Sequence, residues 1–208
     1  MVSNKKPVTL AGRKLSRGAH ACAFFHDREE EYNILLPFVK EGYERGEKTF
    51  QVVDAAHRPE RMRRLGSLGL DMAAAEKSGQ IEVRPWEQAY LRDGCFNQDR
   101  MLSLIQEALN GGKAAGFGQT RLWANMEWAL NDCPGVHDLV EYETRLNHIL
   151  PKFDDVVVCT YDLSHFSAGV VMDILRTHPM VIIGGILQEN PFYVPPDEFL
   201  RELEERAH

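Results

Sequence analysis

Short apolar runs alternate with longer segments of helical periodicity along the chain. Residues 20–26 (HACAFFH) and 49–53 (TFQVV) are typical of strands, and apolar side chains between 32 and 43 recur at the spacing of a helix. Residues 156–161 (VVVCTY) and 180–187 (MVIIGGIL) are almost continuously apolar, which indicates strands buried on both faces. This alternation predicts a three-layer α/β fold, with a mainly parallel sheet between helices.

Length and composition favour one soluble globular domain. The chain has 208 residues, of which 44% are hydrophobic, and no apolar run approaches the ~18 residues of a membrane span. Residues 1–18 are basic but lack the apolar stretch of a secretory signal, so we expect a flexible tail before a domain at 19–208 in a cytoplasmic protein. The net charge is −7 and acids are interleaved with bases, which argues against direct nucleic-acid binding.

The cysteine pattern suggests reduced thiols. The four cysteines form no CxxC pair, so neither a zinc knuckle nor a disulfide framework is predicted. His20 and Cys22 are two residues apart in a strand and should point to one face. They are either a hydrogen-bonded histidine beside a small buried cysteine or, alternatively, a thiol or metal centre.

Polar and aromatic residues gather where the predicted strands end. In an open parallel sheet, ligands bind beyond the carboxyl ends of the strands. Any one of these residues could simply begin a polar cap, but six ends meeting at one edge favour a shared pocket. With His20 and Cys22, the candidate ligand-binding residues are His26, Asp54, Arg58, Trp86, Glu127, Trp128 and Asp162.

Two resemblances extend this interpretation. Residues 61–86 (RMRRLGSLGLDMAAAEKSGQIEVRPW) resemble, in element order, the stretch after the second strand of KaiC/RecA-like ATPases. Longer blocks, including HACAFF, GQIEVRPWEQAYLRDGCFNQDRM, TRLWANMEWAL and the segment 156–196, resemble the MEDS family of methanogen/methylotroph sensory domains. Together these resemblances imply a KaiC/RecA-like fold, and the resemblance to MEDS implies the sensing of simple hydrocarbon derivatives. It also implies that the 20–26 strand lies between the 156–161 and 180–187 strands, with Cys22 beside Cys159.

The phosphate-binding loop of such ATPases is missing. That loop cradles phosphate with glycine N–H groups and a lysine, as GxxxxGK[ST] between a strand and a helix. Here residues 25–31 read FHDREEE, which places four carboxylates where the phosphates would lie. We therefore expect no catalytic residue, no metal and no cofactor.

The sequence thus predicts a non-catalytic small-molecule sensor in prokaryotic signal transduction or transcriptional regulation. The resemblance implies a separate signalling partner, such as a histidine kinase or regulator, and self-association is compatible with it. Three alternatives stay open: a divergent KaiC-like nucleotide-binding ATPase, a thiol or metal enzyme built on His20 and Cys22, and an assembly module without a ligand.

Overall fold

The computed structural model describes residues 6–15 and 18–207. The strands are β1 (Val8–Leu10), β2 (Arg13–Leu15), β3 (Ala19–Phe25), β4 (Lys48–Val53), β5 (Ile81–Pro85), β6 (Thr120–Asn125), β7 (Val156–Asp162), β8 (Met180–Ile183) and β9 (Ile186–Glu189). The α-helices are α1 (Arg28–Glu44), α2 (Arg58–Ser67), α3 (Met72–Ser78), α4 (Gln98–Ala114), α5 (Leu139–Leu146), α6 (Ala168–Thr177) and α7 (Pro196–Arg206). Within the described ranges, none of the helices combines the length and apolarity needed to cross a membrane.

The main sheet has the order β5-β4-β6-β7-β3-β8-β9 and is parallel except for its last pair. The predicted position of β3 between β7 and β8 is confirmed, and Cys22 is directly opposite Cys159 in the register of β3 and β7. The single strand expected at 180–187 is wrong, because Gly184 and Gly185 adopt φ values of 57° and 73° and turn the chain into the antiparallel β8–β9 hairpin.

Helices cover both faces of this sheet, and alternate residues of β3 serve two separate cores. Ala21, Ala23 and Phe25 belong to the core beneath α1, whereas Cys22 and Phe24 belong to the core beneath α4, α5 and α6. This alternation follows from the two-residue period of a strand and explains why β3 is apolar throughout.

The N-terminal segment corrects one prediction. The flexible tail expected at 1–18 is wrong for residues 8–15, where β1 and β2 form an antiparallel hairpin. Val8 and Leu10 are buried against the α1 side of the sheet, and the backbone N–H and hydroxyl of Thr9 both donate to Glu41 at 2.9 and 2.8 Å. Residues 6, 7 and 18 of the predicted tail belong to no helix or strand, and residues 1–5, 16 and 17 lie outside the described residues.

Candidate functional site

At the carboxyl edge, the loop after β3 uses its acidic residues to cap α1. Asp27 accepts a hydrogen bond from the backbone N–H of Glu30 at 2.8 Å, and Glu30 accepts one from the N–H of His26 at 2.9 Å. This pair resembles a capping box, except that Glu30 reaches the N–H of His26 and not that of the N-cap residue Asp27; the imidazole of His26 is exposed beside it. The N–H groups that would bind phosphate in an ATPase are therefore partly engaged by the chain's own carboxylates.

An internal ion pair fills the space beyond these caps. A guanidinium nitrogen of Arg28 lies 3.0 Å from Oε2 of Glu127, whose Oε1 accepts from the side-chain amide of Asn125 at 3.2 Å. The cavity between them has a volume of about 10 Å³ and also touches Asp162, which caps its own turn through Ser164. A space of this size holds at most one water molecule, so the carboxyl edge is closed at this point.

The other carboxyl-edge candidates make local contacts. Asp54 accepts from Nδ1 of His57 at 3.0 Å, and Arg58 donates to the carbonyl of Val83 at 3.0 Å and to Glu76 at 2.8 Å. These half-buried side chains therefore fix the start of α2 to its neighbours.

Both candidate tryptophans lie in the core on the α4 side of the sheet. Trp128 is fully buried and stacks on Tyr90 with ring centroids 4.6 Å apart, and Trp86 is 8% exposed in the same core. Both rings are packed inside the core, so neither lines the shared pocket that the sequence predicted at the carboxyl edge.

A cluster of ionisable groups lies between the sheet and α5, near the opposite, amino edge. Oε2 of Glu143, on α5, lies 3.4 Å from Nε2 of His20, 3.3 Å from Nε2 of His178 and 3.7 Å from Sγ of Cys159. Its other oxygen accepts a hydrogen bond from the Tyr161 hydroxyl at 2.8 Å. All five side chains are at most 3% exposed, so a carboxylate, a thiol and two imidazoles share one desolvated point.

The electrostatics of this cluster follow from burial. Desolvation, reinforced by the nearby Glu143 carboxylate, raises the pKa of the Cys159 thiol and of the Tyr161 phenol well above their usual ranges. Desolvation and then Glu143 act on Cys22 in the same direction, although its Sγ is directed at the carbonyl of Met180 at 3.7 Å. Cys22 is thus a neighbour of the cluster, and Cys159 is the cysteine that contacts His20.

A large cleft opens beside this cluster at the amino edge. It has a volume of about 1060 Å³, and His20 and Asn147 form part of its lining. The remaining lining residues are Arg13, Lys14, Leu15, Gly18, Ala19, Leu150, Pro151, Lys152, Phe153, Asp154, Asp155, Pro179, Met180, Glu189, Asn190 and Tyr193. Of the residues that the sequence singled out, the structure places only His20 on this cleft.

Sequence reasoning missed Glu143 and His178. Glu143 is four residues after Leu139 and three before Leu146, which puts a carboxylate on the buried face of α5. A charged residue at such a position is rarely buried without a partner, and that signal was available in the sequence. His178 gave no comparable signal, because it stands alone between α6 and Pro179.

Comparisons with known proteins agree with the family predicted from the sequence. A family model described as "MEDS: MEthanogen/methylotroph, DcmR Sensory domain" matches residues 19–179. The transcriptional repressor DcmR of Methylorubrum extorquens (strain DSM 6343 / CIP 106787 / DM4) is 25% identical over 178 residues, which are 85% of this chain and 64% of that protein. The chain therefore spans less than two thirds of the repressor's length.

The fold is also similar to a solved structure. The crystal structure of a KaiC-like protein from the hyperthermophilic archaeon Pyrococcus horikoshii OT3 superposes with a TM-score of 0.56 at 19% identity, covering 79% of this chain and 70% of that one. At this identity the similarity establishes the KaiC-like fold alone.

Proposed function

This chain belongs to the MEDS family of sensory domains, and from that premise we propose that it is a non-catalytic small-molecule sensor that regulates transcription. The observation that carries the proposal is the contrast between the 1060 Å³ cleft at the amino edge and the 10 Å³ cavity where KaiC-like ATPases would hold phosphate. Of these two sites, the amino-edge cleft is the one with room for an organic ligand.

The chemistry of the cleft suits a small molecule with one or two polar groups. Phe153 and Met180 offer apolar contact, and His20, Asn147 and Tyr193 offer a few hydrogen-bonding groups. A simple hydrocarbon derivative, the ligand class implied by the family, fits this combination of apolar walls and sparse polar anchors. The competing location is the predicted carboxyl-edge set that includes Asp54, Arg58 and Glu127.

The output of the sensor is a further part of the proposal. The related repressor is longer than this chain, and the basic and acidic residues here are too evenly mixed for a DNA-binding face. We propose that the domain acts in the cytoplasm and passes its signal to a separate DNA-binding or kinase element, with self-association as one route of transmission.

Thermal unfolding with a panel of small alcohols, amines and halomethanes tests the ligand site. A molecule that binds the folded state raises its stability by RT ln(1 + [L]/Kd). The variant Tyr193→Ala should abolish the shift caused by any active compound, because it removes an aromatic wall of the cleft. Phe192→Ala is the matched control, since Phe192 is the adjacent aromatic residue and is 58% exposed.

The outcomes separate the competing functions. Loss of the shift in Asp54→Ala or Arg58→Ala but not in Tyr193→Ala would move the ligand to the carboxyl edge. A rise in thermal stability with Mg-ATP, together with ATP hydrolysis, would show that the protein is an ATPase and not a sensor.

A further inference from the structure

The hydrogen bonds around His178 determine where its ring carries a proton. Nδ1 lies 3.0 Å from the carbonyl oxygen of Ile174 and 2.7 Å from the hydroxyl of Thr177. A carbonyl only accepts, so Nδ1 carries the hydrogen and the neutral ring has a lone pair at Nε2. That nitrogen is buried, makes no hydrogen bond and lies 3.3 Å from Oε2 of Glu143.

His20 is held in the same way by Asn147. The amide nitrogen of Asn147 donates to the carbonyls of Glu143, Thr144 and Thr177, which leaves its oxygen as the acceptor 3.0 Å from Nδ1 of His20. Nδ1 of His20 therefore carries a hydrogen, and the lone pair of its Nε2 also faces Oε2 of Glu143, at 3.4 Å. Two lone pairs thus converge on a carboxylate oxygen beside the Cys159 thiol, and a positive centre between them would stabilise this arrangement.

Two imidazolium rings would be a poor source of that positive centre. The rings of His20 and His178 are only 4.1 Å apart between centroids, and both are almost completely buried. Protonating both would place two like charges together in a desolvated site with a single carboxylate to balance them. A divalent cation bound by both rings needs no such pairing of like charges.

Four of the six separations among the candidate ligand atoms match a tetrahedral coordination shell. Bonds of about 2.05 Å to nitrogen or oxygen and about 2.3 Å to sulfur place tetrahedral ligands about 3.3 Å apart for N–O pairs and about 3.6 Å apart for pairs with sulfur. The observed distances from Glu143 are 3.3 and 3.4 Å to the imidazoles and 3.7 Å to Sγ of Cys159, which is also 3.7 Å from Nε2 of His20. The four ligand atoms all lie within 4.8 Å of one another.

From this geometry we propose that His20, Glu143, Cys159 and His178 bind one divalent transition-metal ion, with zinc as the best fit to two imidazoles, a carboxylate and a thiolate. Asn147 and Thr177 would orient the two rings, and Tyr161 would hold the carboxylate through its second oxygen. Binding converts the Cys159 thiol into a metal-bound thiolate and releases its proton to solvent. His20 and Asn147 also line the cleft, so that cleft is the side from which we expect the ion to enter.

The site stands independently of the proposed sensor function, and metal binding can be measured without knowing the organic ligand. Tag-free protein is stripped with a chelator and titrated with Zn²⁺, and separately with Co²⁺ as a spectroscopic substitute. We expect one equivalent of either metal per chain, together with the thiolate-to-cobalt charge-transfer band and the intense visible bands of tetrahedral Co²⁺.

Two cysteine variants give a matched comparison. Cys159→Ser should lose the charge-transfer band, whereas Cys22→Ser, which alters an equally buried cysteine opposite it in the sheet, should keep the band. Tyr161→Phe should keep the band but weaken Zn²⁺ affinity about 10–100-fold, because the hydroxyl positions a ligand without being one.

The proposal is overturned if folded wild-type protein takes up neither metal, or takes up Co²⁺ without a thiolate band. It is also overturned if the band survives Cys159→Ser or disappears in Cys22→Ser. Should Cys159→Ser fail to fold, the wild-type spectrum and the Tyr161→Phe affinity still decide the question.

Discussion

The two edges of the central sheet differ in what they do with their polar groups. At the carboxyl edge, Arg28 neutralises Glu127, and Asp27 and Glu30 cap α1, so nearly all of the local charge is satisfied within the chain. At the amino edge, the polar groups line an open cleft, and directly inside it His20 and Glu143 belong to a cluster that lacks a full set of internal partners. In this MEDS domain the carboxyl edge, which carries chemistry in KaiC-like ATPases, is closed by an ion pair and helix caps. The amino edge has an open cleft instead.

The largest expected difference is in the rate at which cysteines react. Those in the buried interior near the amino edge should react slowly, and those in the loops should react fast. Cys22 and Cys159 are buried, whereas Cys95 and Cys133 are partly exposed. Alkylation of metal-free native protein should modify the latter pair at least on the order of 10³-fold faster, if the buried pair reacts only through unfolding with a cost of about 5 kcal/mol or more. Peptide mass spectrometry reports each site, and rapid labelling of Cys159 would show that the cluster is open to solvent.

Removal of Glu143 should produce the largest change in stability. In Glu143→Ala the Tyr161 hydroxyl loses its acceptor, and the cation proposed between Glu143 and the imidazoles of His20 and His178 loses its carboxylate, in a fully buried site. We expect a loss of about 3–5 kcal/mol in the free energy of unfolding, as for breaking a buried ion pair. Urea denaturation measures it, and a loss below about 1 kcal/mol would contradict the role assigned to the cluster.

Removal of Glu127 at the carboxyl edge should cost less. Glu127→Ala leaves Arg28 partly exposed to water, so we expect a loss of about 1.5–3 kcal/mol, the range for a hydrogen bond to a charged group. A double-mutant cycle with Arg28→Ala isolates the pair. Coupling near zero would show that the ion pair does not hold this edge closed.

Changes at Asp54 and Arg58 should have the smallest effect. Their partners, His57 and Glu76, are partly exposed, so each alanine variant should lose less than about 1 kcal/mol and retain the response to any cleft ligand. Chemical denaturation and the compound panel check both points. If either variant folds normally but no longer responds to the ligand, the ligand binds at the carboxyl edge.

Most of the sheet could be predicted from the sequence, because long apolar runs mark strands buried on both faces. The place of β3 and the pairing of Cys22 with Cys159 followed from those runs together with the family's strand order. The β8–β9 hairpin was missed because the apolar residues on both sides of Gly184 and Gly185 resemble one continuous run, although a Gly-Gly pair between two such runs is a hairpin signal. The β1–β2 hairpin was missed because its strands have only three residues each.

The site was harder to predict than the fold. His20 was identified, but its partners Asn147 and Cys159 lie 127 and 139 residues away along the chain, and no local spacing relates them. At the carboxyl edge, the residues were placed correctly at strand ends, yet sequence alone could not show that Arg28 reaches Glu127 across 99 residues. Side-chain pairing over such separations depends on tertiary geometry that neither periodicity nor propensity encodes.

Mapping of small organic probes by NMR tests the contrast between the two edges most directly. Titration with alcohols and halomethanes should shift the backbone amide resonances of Asn147, Met180 and Tyr193, which line the amino-edge cleft. The resonances of Asp27, Arg28 and Glu127 should stay in place, because the cavity they surround is only about 10 Å³. Shifts confined to those carboxyl-edge residues, with the amino-edge resonances unchanged, would contradict the account.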